Sequence, residues 1–131
     1  MKNSFKKVQG YLLELGYDVS YQNAEDQVFV LNNEESGIKN LVIGCADPIL
    51  IMEQFIFDVV KPSESLFKQL LVKNRDIVHG AFVLSETGQK LIFRDTLQLD
   101  NLDLNELEGS INSLSLLLSE YSEELINFSK N

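Results

Sequence analysis

The chain has 131 residues, 44% of them apolar and 24% charged, which is the composition of a globular domain and excludes a disordered or fibrous one. Eleven Lys and Arg stand against 20 Asp and Glu, a formal charge of −9, so a nucleic-acid duplex or an anionic membrane would be repelled and neither is expected as a partner. The single cysteine, Cys45, cannot close an intrachain disulfide, no apolar run approaches the roughly 20 residues that span a bilayer, and Met1-Lys2-Asn3-Ser4 leads into a mixed amphipathic stretch; together these predict a cytoplasmic protein.

Phe5, Val8, Leu12 and Leu15 recur at three- and four-residue spacing before Gly16, which predicts an amphipathic helix over residues 4–15. Period two follows. Tyr17 to Tyr21 alternates, Val28 to Leu31 is rich in β-formers, and the turn cluster Asn32 to Gly37 precedes Ile38 to Cys45, so two or three antiparallel strands are expected. Ile49 to Val60 also fits a helical stripe behind Asp47-Pro48, but its Ile, Val and Phe content favours a strand. Ser63 is suited to cap a second helix, with Leu66, Phe67, Leu70 and Leu71 on one face. Ile77 to Leu84 and Gln89 to Leu99 then form a hairpin around Ser85-Glu86-Thr87-Gly88. Asp103 with Glu106 is an acidic capping box, and Leu104, Leu107, Ile111, Leu114, Leu118, Tyr121, Leu125 and Phe128 continue one helical seam to the end. Residues 1–131 are therefore expected to form a single α+β domain in which helices cover one face of an antiparallel sheet.

Phosphate loops, dinucleotide fingerprints and paired Cys or His zinc motifs need spacings that do not occur here, so no catalytic residue, metal or cofactor is predicted. Cys45 lies in an apolar run that would hold its thiol protonated and inert. Asp95 shares the parity of Leu91, Phe93, Leu97 and Leu99. Either a bulge shifts the register after Arg94, or a carboxylate points inward and needs a partner such as Arg75 or His79. Ser115, Ser119 and Ser122 make an uncharged stripe on the last helix.

The run Phe67 to Asn74, then Val78-His-Gly-Ala-Phe-Val-Leu84, Gly88, Leu91-Ile-Phe-Arg94 and Leu97-Gln-Leu-Asp-Asn-Leu-Asp-Leu-Asn-Glu-Leu107 resembles the YbjN and Tir-chaperone (CesT-like) group, the type III secretion chaperone-like fold. That resemblance implies an α-β-β-β-α-β-β-α domain, commonly a homodimer, that binds a protein client and catalyses nothing. It offers two roles, secretion chaperone or sensory-transduction regulator.

Two readings of function follow. One is a non-enzymatic protein-binding module that takes an extended client segment by strand addition; the other is a small enzyme or ligand sensor in which His79, Arg94 and Asp95 converge. For the first, the richer parity of residues 49–59 is expected to face the helices, leaving Leu50, Met52 and Ile56 on the open face of the sheet as partner contacts.

Overall fold

A computed structural model describes residues 2–130. Helix α1 (Lys2–Leu15) buries Phe5, Val8 and Leu12 and ends at Gly16, whose φ of 78° suits a residue without Cβ. Strands β1 (Asp18–Asn23) and β2 (Val28–Asn33) form a hairpin, and a single 3-10 turn capped by the Asn33 side chain leads into β3 (Ile38–Ala46). Strand β4 (Ile49–Asp58) returns after Asp47-Pro48, so its β-branched content decides against the helical stripe. Helix α2 (Glu64–Asn74) begins where Ser63 accepts from the Leu66 N–H. Strands β5 (Ala81–Leu84) and β6 (Lys90–Gln98) make the closing hairpin, and α3 (Leu104–Glu120) and α4 (Ser122–Lys130) complete the chain. Asp103 and Glu106 form the expected reciprocal capping box.

The sheet is antiparallel throughout, in the order β1-β2-β3-β4-β6-β5. The succession of helix, strands, helix, hairpin and helix is the expected one, in a single α+β domain. The first β block holds four strands, because residues 18–33 fold into a hairpin of their own. Partners in the ladder share a face, and the chain Phe29, Ile43, Met52 and Asp95, with Leu31, Leu41, Cys45, Leu50 and Leu97, lies on the helix side. Buried residues of α1, α2, α3 and α4 complete one core against that side.

Four local expectations are corrected. The strand of the closing hairpin starts at Ala81, not Ile77, because Gly80 adopts a φ of 87° that breaks the extended run. No register shift follows Arg94: Asp95 faces the helices and accepts hydrogen bonds from the buried Ser110 hydroxyl on α3 and from the Thr96 N–H, rather than meeting Arg75 or His79. In α2 the buried stripe is Leu66 and Leu70, whereas Leu71 is 68% exposed. The terminal seam is interrupted at Tyr121, whose non-helical backbone redirects α4, so that Leu125 stays buried and Glu124 meets Lys73 of α2 at 2.5 Å. The serine stripe divides as well: Ser115 donates to the Ser36 carbonyl at 2.8 Å, while Ser119 and Ser122 are exposed.

Candidate protein-binding surface

The open side of the sheet carries the second row of ladder partners: Val30 opposite Val42, Gly44 opposite Ile51, and Phe55 opposite Ile92. Alongside these apolar residues it carries Thr96 opposite Ile51 and two cross-strand ion pairs, Glu53 with Arg94 at 2.6 Å and Asp58 with Lys90 at 2.9 Å. Phe55 is 49% and Val42 39% exposed, and the Lys90 ammonium stands 4.9 Å from the centre of the Phe55 ring. An apolar sheet face without a layer of helices over it is the chief feature of the molecule that the core does not explain.

Its residues are not the expected ones. Leu50 and Met52 are fully buried under the helices, and Ile56 is half-buried. Ahead of residue 56 the parities of β4 are the reverse of expectation, while Phe57 and Val59 pack toward the core as expected; a bulge separates the two parts, since Phe55 pairs with Ile92 and Phe57 with Leu91 and Ile56 is an extra residue. Before it, even-numbered side chains face the core; after it, Phe57 does. Gln54 sits among the inward row, buried, accepting from the Lys39 N–H at 3.1 Å and donating to the Gly37 carbonyl at 3.3 Å. It satisfies the irregular entry of β3, where Asn40 has a φ of 51°. A polar residue in an apolar run was the available signal for this tie.

The residues of the enzyme or sensor reading do not converge. Arg94 and Asp95 are consecutive in β6 and project to opposite faces, Arg94 to Glu53 on the open side and Asp95 to Ser110 under α3. His79 is exposed in the α2–β5 loop, where its carbonyl accepts from the Ser113 hydroxyl at 2.9 Å. Burial pushes the Cys45 thiol up to about 11. The native state therefore holds that proton beyond the pH at which an unfolded thiol loses it. The stability this contributes is complete below about pH 9 and is lost as pH rises toward 11. Iodoacetamide at pH 8.5 is expected to alkylate native Cys45 slowly and the urea-unfolded chain quickly, and Cys45→Ala should flatten the alkaline slope of stability.

A second apolar feature lies at the sheet's end, where Phe67, Leu70 and Leu71 of α2 face Phe82, Leu84 and Leu91 across a cleft of about 230 Å³. Among the described residues no helix is long and apolar enough to cross a membrane.

No curated protein matches the chain in sequence. Solved structures do match its fold. YbjN from E. coli, a putative transcription regulator, is 14% identical with a TM-score of 0.67, over 91% of each chain. The ExsC–ExsE complex is 16% identical at a TM-score of 0.68, covering 94% of this chain and 93% of the other. The Yersinia pestis type III secretion chaperone SycH, in complex with a stable fragment of YscM2, is 14% identical at 0.62, over 98% and 100%. The CesT_Tir_1 profile matches residues 1–131. The chain has the fold of these structures, and by the profile match it belongs to the CesT_Tir_1 family.

Proposed function

We propose that the protein is a non-catalytic, chaperone-like binding module that works as a homodimer in the cytoplasm and holds an extended segment of a client protein. The observation that carries this reading is the uncovered apolar sheet face around Ile51, Phe55 and Ile92. Burying a large aliphatic or aromatic side chain contributes about 1.5–3 kcal/mol, so covering the exposed Phe55 and Val42 and the half-buried Ile51 and Ile92 favours association. Structures of similar fold support the client part, since ExsC is found with ExsE, SycH with a YscM2 fragment, and SchA with HopA1. The likeness to YbjN supports a regulatory variant of the same binding role. The partner contacts are then Ile51, Phe55 and Ile92, in place of Leu50, Met52 and Ile56.

Light scattering on the Ile51→Ser, Ile92→Ser variant tests this. We expect the parent to run as a dimer and the variant as a folded monomer, with proteins that co-purify with the parent lost from the variant. A parent that is monomeric at every concentration and retains no protein from a cell extract would overturn it.

A further inference from the structure

We propose that the outward stripe of α3, with Leu116 and Val78 at its centre and carboxylates on both flanks, is a docking surface for a basic amphipathic helix of a partner protein. This rests on the reading of the chain as a protein-binding module and adds a second surface and the chemistry of its occupant.

Positions 109, 113, 116 and 120 of α3 follow one another at steps of three and four, so they share one face, a stripe about 16 Å long at 1.5 Å per residue. Two clefts border it. On one side the α2–β5 loop is held to α3 by the Ser113 hydroxyl, which donates to the His79 carbonyl at 2.9 Å, and the cleft between them is about 280 Å³. On the other side Ser115 donates to the Ser36 carbonyl at 2.8 Å, holding the 3-10 turn beside a cleft of about 430 Å³. Leu116 lines both clefts and is 68% exposed, and Val78 on the loop is 86% exposed.

Charge specifies the occupant. Asp76 and Glu120 line the first cleft and Glu34 and Glu35 the second, while among the described residues no Lys or Arg lines either. None of the four carboxylates is in an ion pair among the described residues, and nearby Lys73 is engaged with Glu124 at 2.5 Å. Burial first, and then the charges of Glu120 and Asp76, push the Tyr121 hydroxyl above its ordinary range, which sets both acids around one ring. An apolar centre with negative flanks is the counterpart of a helix whose apolar stripe is bordered by Lys and Arg. A second copy of this chain, at −9, would set carboxylates against carboxylates.

Backbone chemistry selects a helix over an extended segment. The stripe lies on α3, whose mid-helix N–H and C=O groups are paired within the helix, so an extended chain laid along it would find no ladder to join. A helix brings its own hydrogen bonds. Gly109 marks the point of closest approach: it stands in the second turn of α3, where glycine weakens a helix relative to alanine, yet an added Cβ would meet nothing within 4 Å. The chain's own packing gives no reason for a missing side chain there, and a second backbone crossing at that place does.

The probe is a dye-labelled peptide of Leu and Lys, about 14 residues long with Leu at helical spacing, titrated by fluorescence anisotropy into the full-length protein. Leu116→Ser should weaken binding about tenfold or more, the share of one buried leucine, and Glu120→Lys about fivefold. Glu86→Lys changes the net charge equally but lies in the β5–β6 turn, and should alter affinity less than about twofold, since charges beyond roughly 8 Å are screened at physiological salt. Gly109→Gln separates binding from structure: it should raise the urea midpoint, glutamine being the better helix former, and yet weaken the peptide about tenfold. An isomeric peptide with Leu and Lys alternating, the period of a strand, should bind about tenfold more weakly than the helical one. A parent that does not bind the helical peptide, equal affinity for parent and Leu116→Ser, or a loss in Glu86→Lys as large as in Glu120→Lys would each overturn the proposal. Equal binding of the two peptides would overturn the helix. A halved mass for Leu116→Ser without peptide would give the stripe to a second copy and overturn it too. Should Leu116→Ser not fold by circular dichroism, Val78→Ser decides in its place, with the parent's affinity counting against the surface. The open-face reading is judged by mass before peptide is added: a monomeric parent that binds peptide through Leu116 ends that reading and keeps this one, and a dimer whose peptide binding ignores Leu116 does the reverse.

Discussion

Serine at Leu50 is expected to unfold much of the protein, whereas serine at its neighbour Ile51 is not. Leu50 has no exposed surface and shares the inward row with Cys45 and Leu97. Truncating such a side chain costs about 2–5 kcal/mol, and leaving a hydroxyl there without a partner adds roughly 1–3 kcal/mol. Against a total stability of about 5–15 kcal/mol, that is a large fraction. Ile51 faces the open side beside Gly44 and Thr96, and its replacement in the monomer should stay within about 1 kcal/mol. Urea titrations followed by circular dichroism would separate the two. A Leu50→Ser protein with an unchanged midpoint and a halved mass would instead return Leu50 to the partner surface.

Gly80→Ala is expected to be the most damaging substitution of a single methyl group. Gly80 has a φ of 87°, and an added Cβ would lie 2.3 Å from Cζ and 2.8 Å from Cε1 of the Phe93 ring, with the Arg94 carbonyl at 3.1 Å. Phe93 is completely buried in the helix-side core, so its ring has no room to swing. The left-handed backbone costs a residue with Cβ about 1–2 kcal/mol and overpacking about 1–3 kcal/mol more, which gives a loss of roughly 2–5 kcal/mol. Gly88 is the control: its φ is 76°, but nothing lies within 4 Å of its added Cβ, so Gly88→Ala should cost only the backbone share. Similar thermal midpoints for the two variants would refute the packing argument.

Patterns that depend on neighbours in sequence were legible. The Ser63 cap, the Asp103–Glu106 box, the turn at Gly88 and the stop at Gly16 each follow from local chemistry, and each stands where expected. The side each β4 residue faces was not legible, because β4 is apolar on both parities and the extra residue at Ile56 leaves no trace in composition. The parity of Asp95 left a bulge and an inward carboxylate both open, and its actual partner Ser110 lies on a helix whose rotation the sequence does not state. The Asn74 carboxamide bonds both backbone groups of Phe82, eight positions away through a loop without periodicity, and only coordinates bring them together. Of the candidate surface, the sequence thus revealed an excess of apolar residues in β4 but not which of them meet water.

The Glu53–Arg94 pair sets terms for whatever covers the open face. Greasy side chains slide past one another at little cost, and a sheet of Val, Ile and Phe alone would accept many docking angles. Two opposite charges 2.6 Å apart in the middle of it are a fixed peg. A covering protein of purely hydrocarbon character would strip both ions of water without replacing it, and desolvation of that kind can exceed the attraction between the charges. A partner that brings its own acid and base, or polar groups at matching positions, avoids the penalty in one orientation only. A face built this way would disfavour aggregation by indiscriminate hydrophobic contact and favour a counterpart with a complementary charge pair.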